Sequence, residues 1–151
     1  MSQTQTETLS PEQQRTLASV AALMIPASAE FGVPGADDPT ILADMLKSLG
    51  RDGPPVREAL ARLDTLAAGR FAEAAKARQE EVAAAFRAEG GTPLAALSRL
   101  ILQCYYRDDR VMLSLNMEAR PPFPKGHVVE QGDWSLLDPV RKRPKMWRDA
   151  P

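Results

Sequence analysis

Apolar residues recur every three or four positions through the first two thirds of the chain, the spacing of one face of an amphipathic helix. Ser10-Pro11-Glu12-Gln13 predicts a helix start, because serine caps the free amides and proline suits the first helical position. Pro26 ends this helix, since proline disfavours helical backbone in the residue before it. Asp38-Pro39 predicts a second start, for a helix that runs to Gly50.

Three further helices follow from the same spacing. Gly53-Pro54-Pro55 breaks the pattern, and apolar positions then repeat from Val56 up to Gly69. A fourth helix is expected from Phe71 to Gly90, and Thr92-Pro93 is expected to cap a fifth that reaches Tyr106. No segment alternates apolar and polar residues over the length of a strand. The pattern predicts an all-α fold, a bundle of about five helices.

The pattern changes after Tyr106. A short helical turn is expected over residues 109–117, but helical spacing fails from Glu118 onward, where prolines forbid a long helix. This region also keeps aromatic residues, which disordered segments usually lack: Phe123, Trp134 and Trp147. We therefore predict a disordered amino terminus over 1–9, a helical domain over 10–117, and a long irregular, proline-rich C-terminal tail over 118–151 that acts as an extended strap.

Composition narrows the function classes. The 19 Lys and Arg against 20 Asp and Glu give no net positive field of the kind that nucleic-acid binding requires. The longest apolar run, Val20–Ile25, is far shorter than the ~18 residues of a membrane span. Residues 1–12 show no signal-peptide pattern, so a cytoplasmic location is expected, and a periplasmic one only if a partner carries the chain. The 23 alanines bury little area each, which suggests that a partner completes the core.

Candidate catalytic and metal-binding residues are few. A single Cys104 and a single His127 provide neither a catalytic pair nor a zinc ligand set. The stretch Gly32–Gly35 lacks the Lys-Ser/Thr of a phosphate-binding loop, so its glycines indicate either a turn with positive φ or a tight connection between helices. The pairs Asp37-Asp38 and Asp108-Asp109 are better explained as helix caps than as acid–base groups. The sequence predicts no catalytic residue, cofactor-binding residue or metal ligand in this chain.

The tail combines aromatic residues with the basic run Arg141-Lys142-Arg143. A basic run is usually a solvated face, but charged residues beside apolar anchors are also typical of the rim of a protein interface. The predicted partner-interface residues are Tyr105, Tyr106, Phe123, Trp134, Leu137, Arg141 and Trp147.

Several short motifs together resemble the gluconate 2-dehydrogenase subunit 3 family. They are Ile25-Pro26 at a helix end, the turn Pro34-Gly35-Ala36-Asp37, Phe86, the pair Tyr105-Tyr106, and the irregular tail over 120–148. The resemblance spans about residues 9 to 148. The amino-terminal motifs are its more distinctive part, since the central helices are generic.

The resemblance implies a non-catalytic small subunit that stabilises a large flavoprotein of the glucose-methanol-choline oxidoreductase class. That large subunit would bind FAD and oxidise an alcohol or sugar, and a cytochrome c subunit receives the electrons in some such complexes. Two other classes stay open: a free-standing helical binding or regulatory module, and, ranked last, a small enzyme that uses Asp108 or Asp109.

Overall fold

The computed structural model describes residues 8–119 and 130–148. The fold is all-α, as the spacing predicts. Its helices are α1 (Pro11–Met24), α2 (Pro39–Lys47), α3 (Gly53–Leu66), α4 (Lys76–Glu89), α5 (Gly91–Tyr105), α6 (Asp109–Ser114) and α7 (Asp138–Arg141). The one β-type pairing within the described ranges is an isolated bridge between Ser28 and Val33.

The first two helices begin where the sequence predicts. The Ser10 hydroxyl accepts from the Gln13 amide at 3.2 Å, and the Gln13 side chain accepts from the Ser10 amide at 3.0 Å. At α2, the Asp38 carboxylate accepts from the Thr40 amide at 2.9 Å. Both caps satisfy amides that the first helical turn leaves without partners.

The starts of α3, α4 and α5 differ from the prediction. Gly53-Pro54-Pro55 is the first turn of α3 rather than a break before it, because proline fits positions whose amides need no helical acceptor. Phe71 lies in a 3-10 turn, Phe71–Glu73, and α4 begins only at Lys76. Thr92-Pro93 does not cap α5: the helix starts at Gly91, and both Gly90 and Gly91 have positive φ, +67° and +86°.

Helix α3 is the centre of the helical unit, and α1, α4 and α5 all pack against it, while α2 packs on α5. One continuous cluster of 22 buried hydrophobic residues forms the core. Only four of its members are alanines: Ala21, Ala36, Ala59 and Ala96. Alanines therefore account for little of this core, because most of them lie outside the cluster while larger side chains fill it.

One carboxylate ties three elements of the core together. Asp64 on α3 accepts from the Phe71 amide at 2.9 Å and from the Thr16 hydroxyl of α1 at 3.2 Å. Thr16 is 2% exposed, and a buried hydroxyl without a partner would be unfavourable. The contact fixes the turn after α3 against α1.

The predicted disordered amino terminus is too long by at least one residue. Leu9 is 2% exposed and belongs to the core cluster, and its carbonyl accepts from the Gln14 side chain at 2.9 Å. Residues 1–7 lie outside the described ranges.

The chain divides into two compact units, Met1–Pro121 and Pro122–Pro151. In the second unit, the described residues form a 3-10 turn, Trp134–Leu137, followed directly by α7. The described part of the tail is irregular apart from these two four-residue elements. Pro139 occupies the first turn of α7, where proline is tolerated. No helix in the described ranges has both the length and the apolar content to cross a bilayer.

Candidate functional site

Two of the motifs that carry the family resemblance, Ile25-Pro26 and Pro34-Gly35-Ala36-Asp37, lie in one segment, residues 25–38, which we call the corner segment. It connects α1 to α2. The Ala36 amide donates to the Ile25 carbonyl at 2.9 Å, and Ser28 and Val33 exchange two backbone hydrogen bonds of 3.1 Å each. These bonds fold the segment back on itself, so that it works as a fixed connection between the two helices.

Both glycines of the corner segment have a conformational or steric reason. Gly32 adopts φ of +62°, a region that side chains disfavour. At Gly35, an added Cβ would collide with the Asp37 carboxylate and lie 3.0 Å from the Ala27 backbone nitrogen. The two explanations that the sequence left open, a positive-φ turn and a tight connection, each hold at one glycine.

Tyr105 braces the corner segment from α5. Its hydroxyl donates to the Pro34 carbonyl at 3.2 Å, and the residue is only 5% exposed. Burial is the main reason why the pKa of Tyr105 is raised. The neighbouring Tyr106 packs edge to face on it, with ring centroids 5.3 Å apart, and is half exposed. Tyr105 therefore belongs to the core of the helical unit, whereas Tyr106 keeps an open surface.

The acidic pairs contribute to an ion cluster rather than to a pair of close catalytic carboxylates. Arg110 bridges Asp38 at 2.8 Å and Asp108 at 2.9 Å. Hydrogen bonding to Arg110 is the main reason that the pKa of Asp38 falls from 3.8 to about 2 and that the pKa of Asp108 is lowered. Both carboxylates also cap helices, Asp38 at α2 and Asp108 at α6. Fixed in the ionised form, they connect α6 to the start of α2.

Cys104 lies beside a second ion pair. Arg107 contacts Asp44 at 2.6 Å and the Ser48 hydroxyl at 2.7 Å, with the Cys104 Sγ at 3.7 Å. Burial is the main cause of a raised pKa for the Cys104 thiol, which favours the unreactive protonated form. This cluster holds α5 against α2.

The candidate interaction residues, taken separately in each unit, are large apolar residues that the fold leaves exposed. Thirteen such residues occur in the described ranges, and eleven of them come from Leu102 onward. In the helical unit they are Leu102, Tyr106, Leu113, Leu115 and Met117. In the second unit they are Trp134, Leu136, Leu137, Val140, Met146 and Trp147. We call these eleven residues the C-terminal apolar set.

Basic side chains accompany the apolar ones in the second unit. Residues 141–148 contain five Lys or Arg and no acidic residue. The Lys145 Nζ lies 5.7 Å from the Trp147 ring centroid, within the range of a cation–π contact. Apolar anchors bordered by cations resemble the rim and core of a protein interface.

The predicted interface residues fall into three groups. Trp134 and Trp147 are 62% and 71% exposed, and Tyr106, Leu137 and Arg141 are also exposed. Tyr105 is buried in its own chain. Phe123, like His127, lies outside the described ranges.

The predicted interface residues omit seven of the eleven members of the C-terminal apolar set. The missed residues are Leu102, Leu113, Leu115, Met117, Leu136, Val140 and Met146. For the missed residues other than Leu102 the signal was present in the sequence, because apolar residues continue after Tyr106 where helical spacing is short or absent. Residues in short or irregular segments form no continuous apolar helix face that could pack against a neighbouring helix.

Within residues 8–119 and 130–148, no group of three or more His, Cys, Asp or Glu side chains is arranged to hold a metal ion. Comparisons of this chain with family models, with curated proteins and with solved structures find no match.

Proposed function

We propose that this chain is a non-catalytic accessory subunit that stabilises a large FAD-dependent dehydrogenase of the glucose-methanol-choline class. In this proposal the FAD and the chemistry belong to the large subunit, and the C-terminal apolar set of this chain makes the main contact. The family assignment rests on the motif resemblance. The interaction role rests on the position of the exposed apolar residues.

The observation that carries the proposal is the concentration of exposed apolar residues in the last third of the chain. Exposed apolar residues scattered singly are ordinary, whereas a concentration of them marks an interaction region. Among the described residues before position 101, only Met24 and Phe31 belong to the exposed set. A partner would cover five large side chains on the helical unit and six on the second unit.

Energetics favours the two tryptophans as anchors. Ordering an irregular residue requires about 1–2 kcal/mol of backbone entropy. Covering the open surface of Trp134 or Trp147 contributes about 2–4 kcal/mol each, from the area of the ring and ~25 cal/mol per Å². Tryptophan is also enriched among residues that dominate binding energy. The second unit therefore has a reason to be ordered on a partner surface.

The corner segment supports an accessory role in a second way. Two of its motif residues act within the scaffold, since Gly35 allows a close approach and Pro34 accepts the bond from Tyr105, and the adjacent Asp38 caps α2. A family defined by such a motif shares a scaffold, and its motif requires no reaction chemistry.

The test is co-purification with a glucose-methanol-choline flavoprotein encoded in the same genome. Tagged full-length chain is expected to retain the flavoprotein, measured by its flavin absorbance and by protein stoichiometry. Deletion of residues 119–151 is expected to abolish retention while the helical circular dichroism of residues 10–106 persists. Trp134→Ala with Trp147→Ala should weaken retention, and Phe31→Ala is the matched control, since Phe31 is an aromatic residue of similar exposure, 68%.

Two outcomes would overturn parts of the proposal. Retention at full stoichiometry after the deletion would assign the contact to the helical unit. If the tagged full-length chain does not retain the flavoprotein, the proposed partner is wrong.

A second candidate function is a free-standing helical binding module, and the closed core of the helical unit favours it. That core contains 18 buried hydrophobic residues larger than alanine, in one cluster with its four alanines. A self-contained module would unfold cooperatively as a monomer without any partner, and an obligate accessory subunit would be poorly soluble or partly unfolded alone. Sedimentation and thermal unfolding of the isolated chain separate the two.

A further inference from the structure

A groove on the helical unit lies outside both the corner segment and the C-terminal apolar set. It has a volume of about 360 Å³, and α1, α3, α4 and α5 all contribute side chains to it. Its walls and floor are mostly apolar, including Leu23, Met24, Leu63, Phe86 and Leu97. Cavities that bind small molecules are of this kind, apolar with a few polar groups, and range from about 300 to 1,000 Å³.

The groove arises from the way the helices share α3. Helices α4 and α5 both pack against α3, and the α4 wall of the groove includes Ala83, whose side chain is a single methyl group. Leu63 and Ile101 at the bottom are fully buried, so the groove opens directly onto the core.

Two polar side chains stand among the apolar ones, Arg87 on α4 and Ser98 on α5. Other arginines of the helical unit, such as Arg62 and Arg99, pair with carboxylates of their own chain. Within the described residues, Arg87 forms no ion pair. It lies in the last turn of α4 and is exposed, so its guanidinium is open to an incoming anion. Guanidinium groups prefer carboxylates among such anions, because the two can form parallel hydrogen bonds.

We propose that this groove binds a small amphiphile with an apolar chain and one carboxylate. The apolar chain lies between α1, α4 and α5, and the carboxylate pairs with Arg87. The proposal is independent of the proposed function, because the groove involves none of the residues assigned to the flavoprotein contact.

The test uses decanoate as the probe, below the concentration at which it forms micelles, with the full-length chain. Calorimetry should show saturable binding of decanoate and weaker binding of decanol, which has the same chain and no charge. Arg87→Gln should weaken decanoate binding by about fivefold, the upper end for an exposed ion pair, and leave decanol unchanged. Arg15→Gln is the matched control, since Arg15 is an exposed arginine of α1 that does not line the groove.

A filled groove supplies the second measurement. Ala83→Phe should abolish the binding of both probes, and Ser98→Phe serves the same purpose if the first variant does not fold. Methyl NMR shifts on adding decanoate should map to Leu23, Leu97 and Ile101 in the unmodified chain.

Three results would each overturn the proposal: no saturable binding of decanoate, equal affinity for decanoate and decanol, or methyl shifts that lie away from the groove. If decanoate shows no saturable binding, side chains of a protein partner would be the alternative occupant of the groove.

Discussion

The two units of the chain differ in the burial of their large apolar side chains. In residues 8–119 most such side chains lie in one buried cluster, whereas every described residue of 130–148 is exposed. Both units contain caps and ion pairs, so local hydrogen bonding does not distinguish them. The two units differ in helix length. Helices α1, α3, α4 and α5 each have 14 or 15 residues and present a whole face to a neighbour, while α7 has four. Apolar residues form a core only where the elements that carry them are long enough to cover one another.

The largest expected effect contrasts one aromatic residue from each unit. Phe71→Ala should lower the free energy of unfolding by about 3–5 kcal/mol, because Phe71 is fully buried and its loss leaves a cavity. Trp134→Ala should change it by less than about 0.5 kcal/mol, as for an exposed residue. Urea unfolding of the full-length variants gives both values. Similar losses for the two would show that Trp134 stabilises the fold of its own chain.

A smaller effect is expected at the polar contact inside the core. Asp64→Ala should lower the free energy of unfolding by about 1–3 kcal/mol, since the Phe71 amide and the Thr16 hydroxyl lose their acceptor. Asp64→Asn keeps an acceptor oxygen at this position and should recover most of the loss. If the alanine variant is as stable as the unmodified chain in thermal unfolding, water replaces the carboxylate.

The next effect compares ion pairs in the two units by their pH dependence. The pKa of Asp38 is about 2 in the folded chain and 3.8 ordinarily. The ionised Asp38 carboxylate therefore contributes to the free energy of unfolding above about pH 4, and this contribution is lost as the pH falls toward about 2. Arg110→Gln should lower the free energy of unfolding by about 1 kcal/mol near neutral pH, and the difference should shrink over that acid range.

Arg141→Gln is the control for this pH comparison. It removes the exposed Asp138–Arg141 pair of the second unit, so its stability should match that of the unmodified chain at every pH. If the loss of stability caused by Arg110→Gln stays constant down to about pH 2, the loss comes from packing of the arginine side chain and not from its charge.

The smallest effect concerns the end of α3. Ala68 has φ of +57°, which L-residues adopt at a cost of about 1–2 kcal/mol. Ala68→Gly should therefore raise the free energy of unfolding by about 0.5–1 kcal/mol after the added chain entropy of glycine is subtracted. Ala84→Gly, at an exposed position inside α4, should instead lower it by about 1 kcal/mol. If chemical denaturation shows that both glycine variants lose stability, residue 68 does not have the left-handed backbone conformation.

Caps and prolines made the helix order predictable from the sequence, because Ser10, Asp38 and Asp108 act within their own first turns. The starts of α4 and α5 were not predictable in the same way. Phe71 has helical spacing relative to later residues, but the bond from its amide to Asp64 holds it in a separate turn.

The candidate surface was predictable only in part. Aromatic residues in a proline-rich tail indicated Trp134 and Trp147. The hydroxyl of buried Tyr105 bonds to the carbonyl of Pro34, far away in the chain, and no local pattern contains that information. The groove beside Arg87 depends on how four helices meet, which sequence spacing does not specify.

The bond between Tyr105 and Pro34 also has a consequence for the order of folding. It joins positions 71 residues apart, and contacts of such separation form only after much of the intervening chain is in place. A nascent chain that has emerged only as far as α4 contains the whole corner segment without its brace. The Ala36 amide, bonded to Ile25, should therefore gain protection from hydrogen exchange only when α5 docks, and it would report the completion of the helical unit during synthesis.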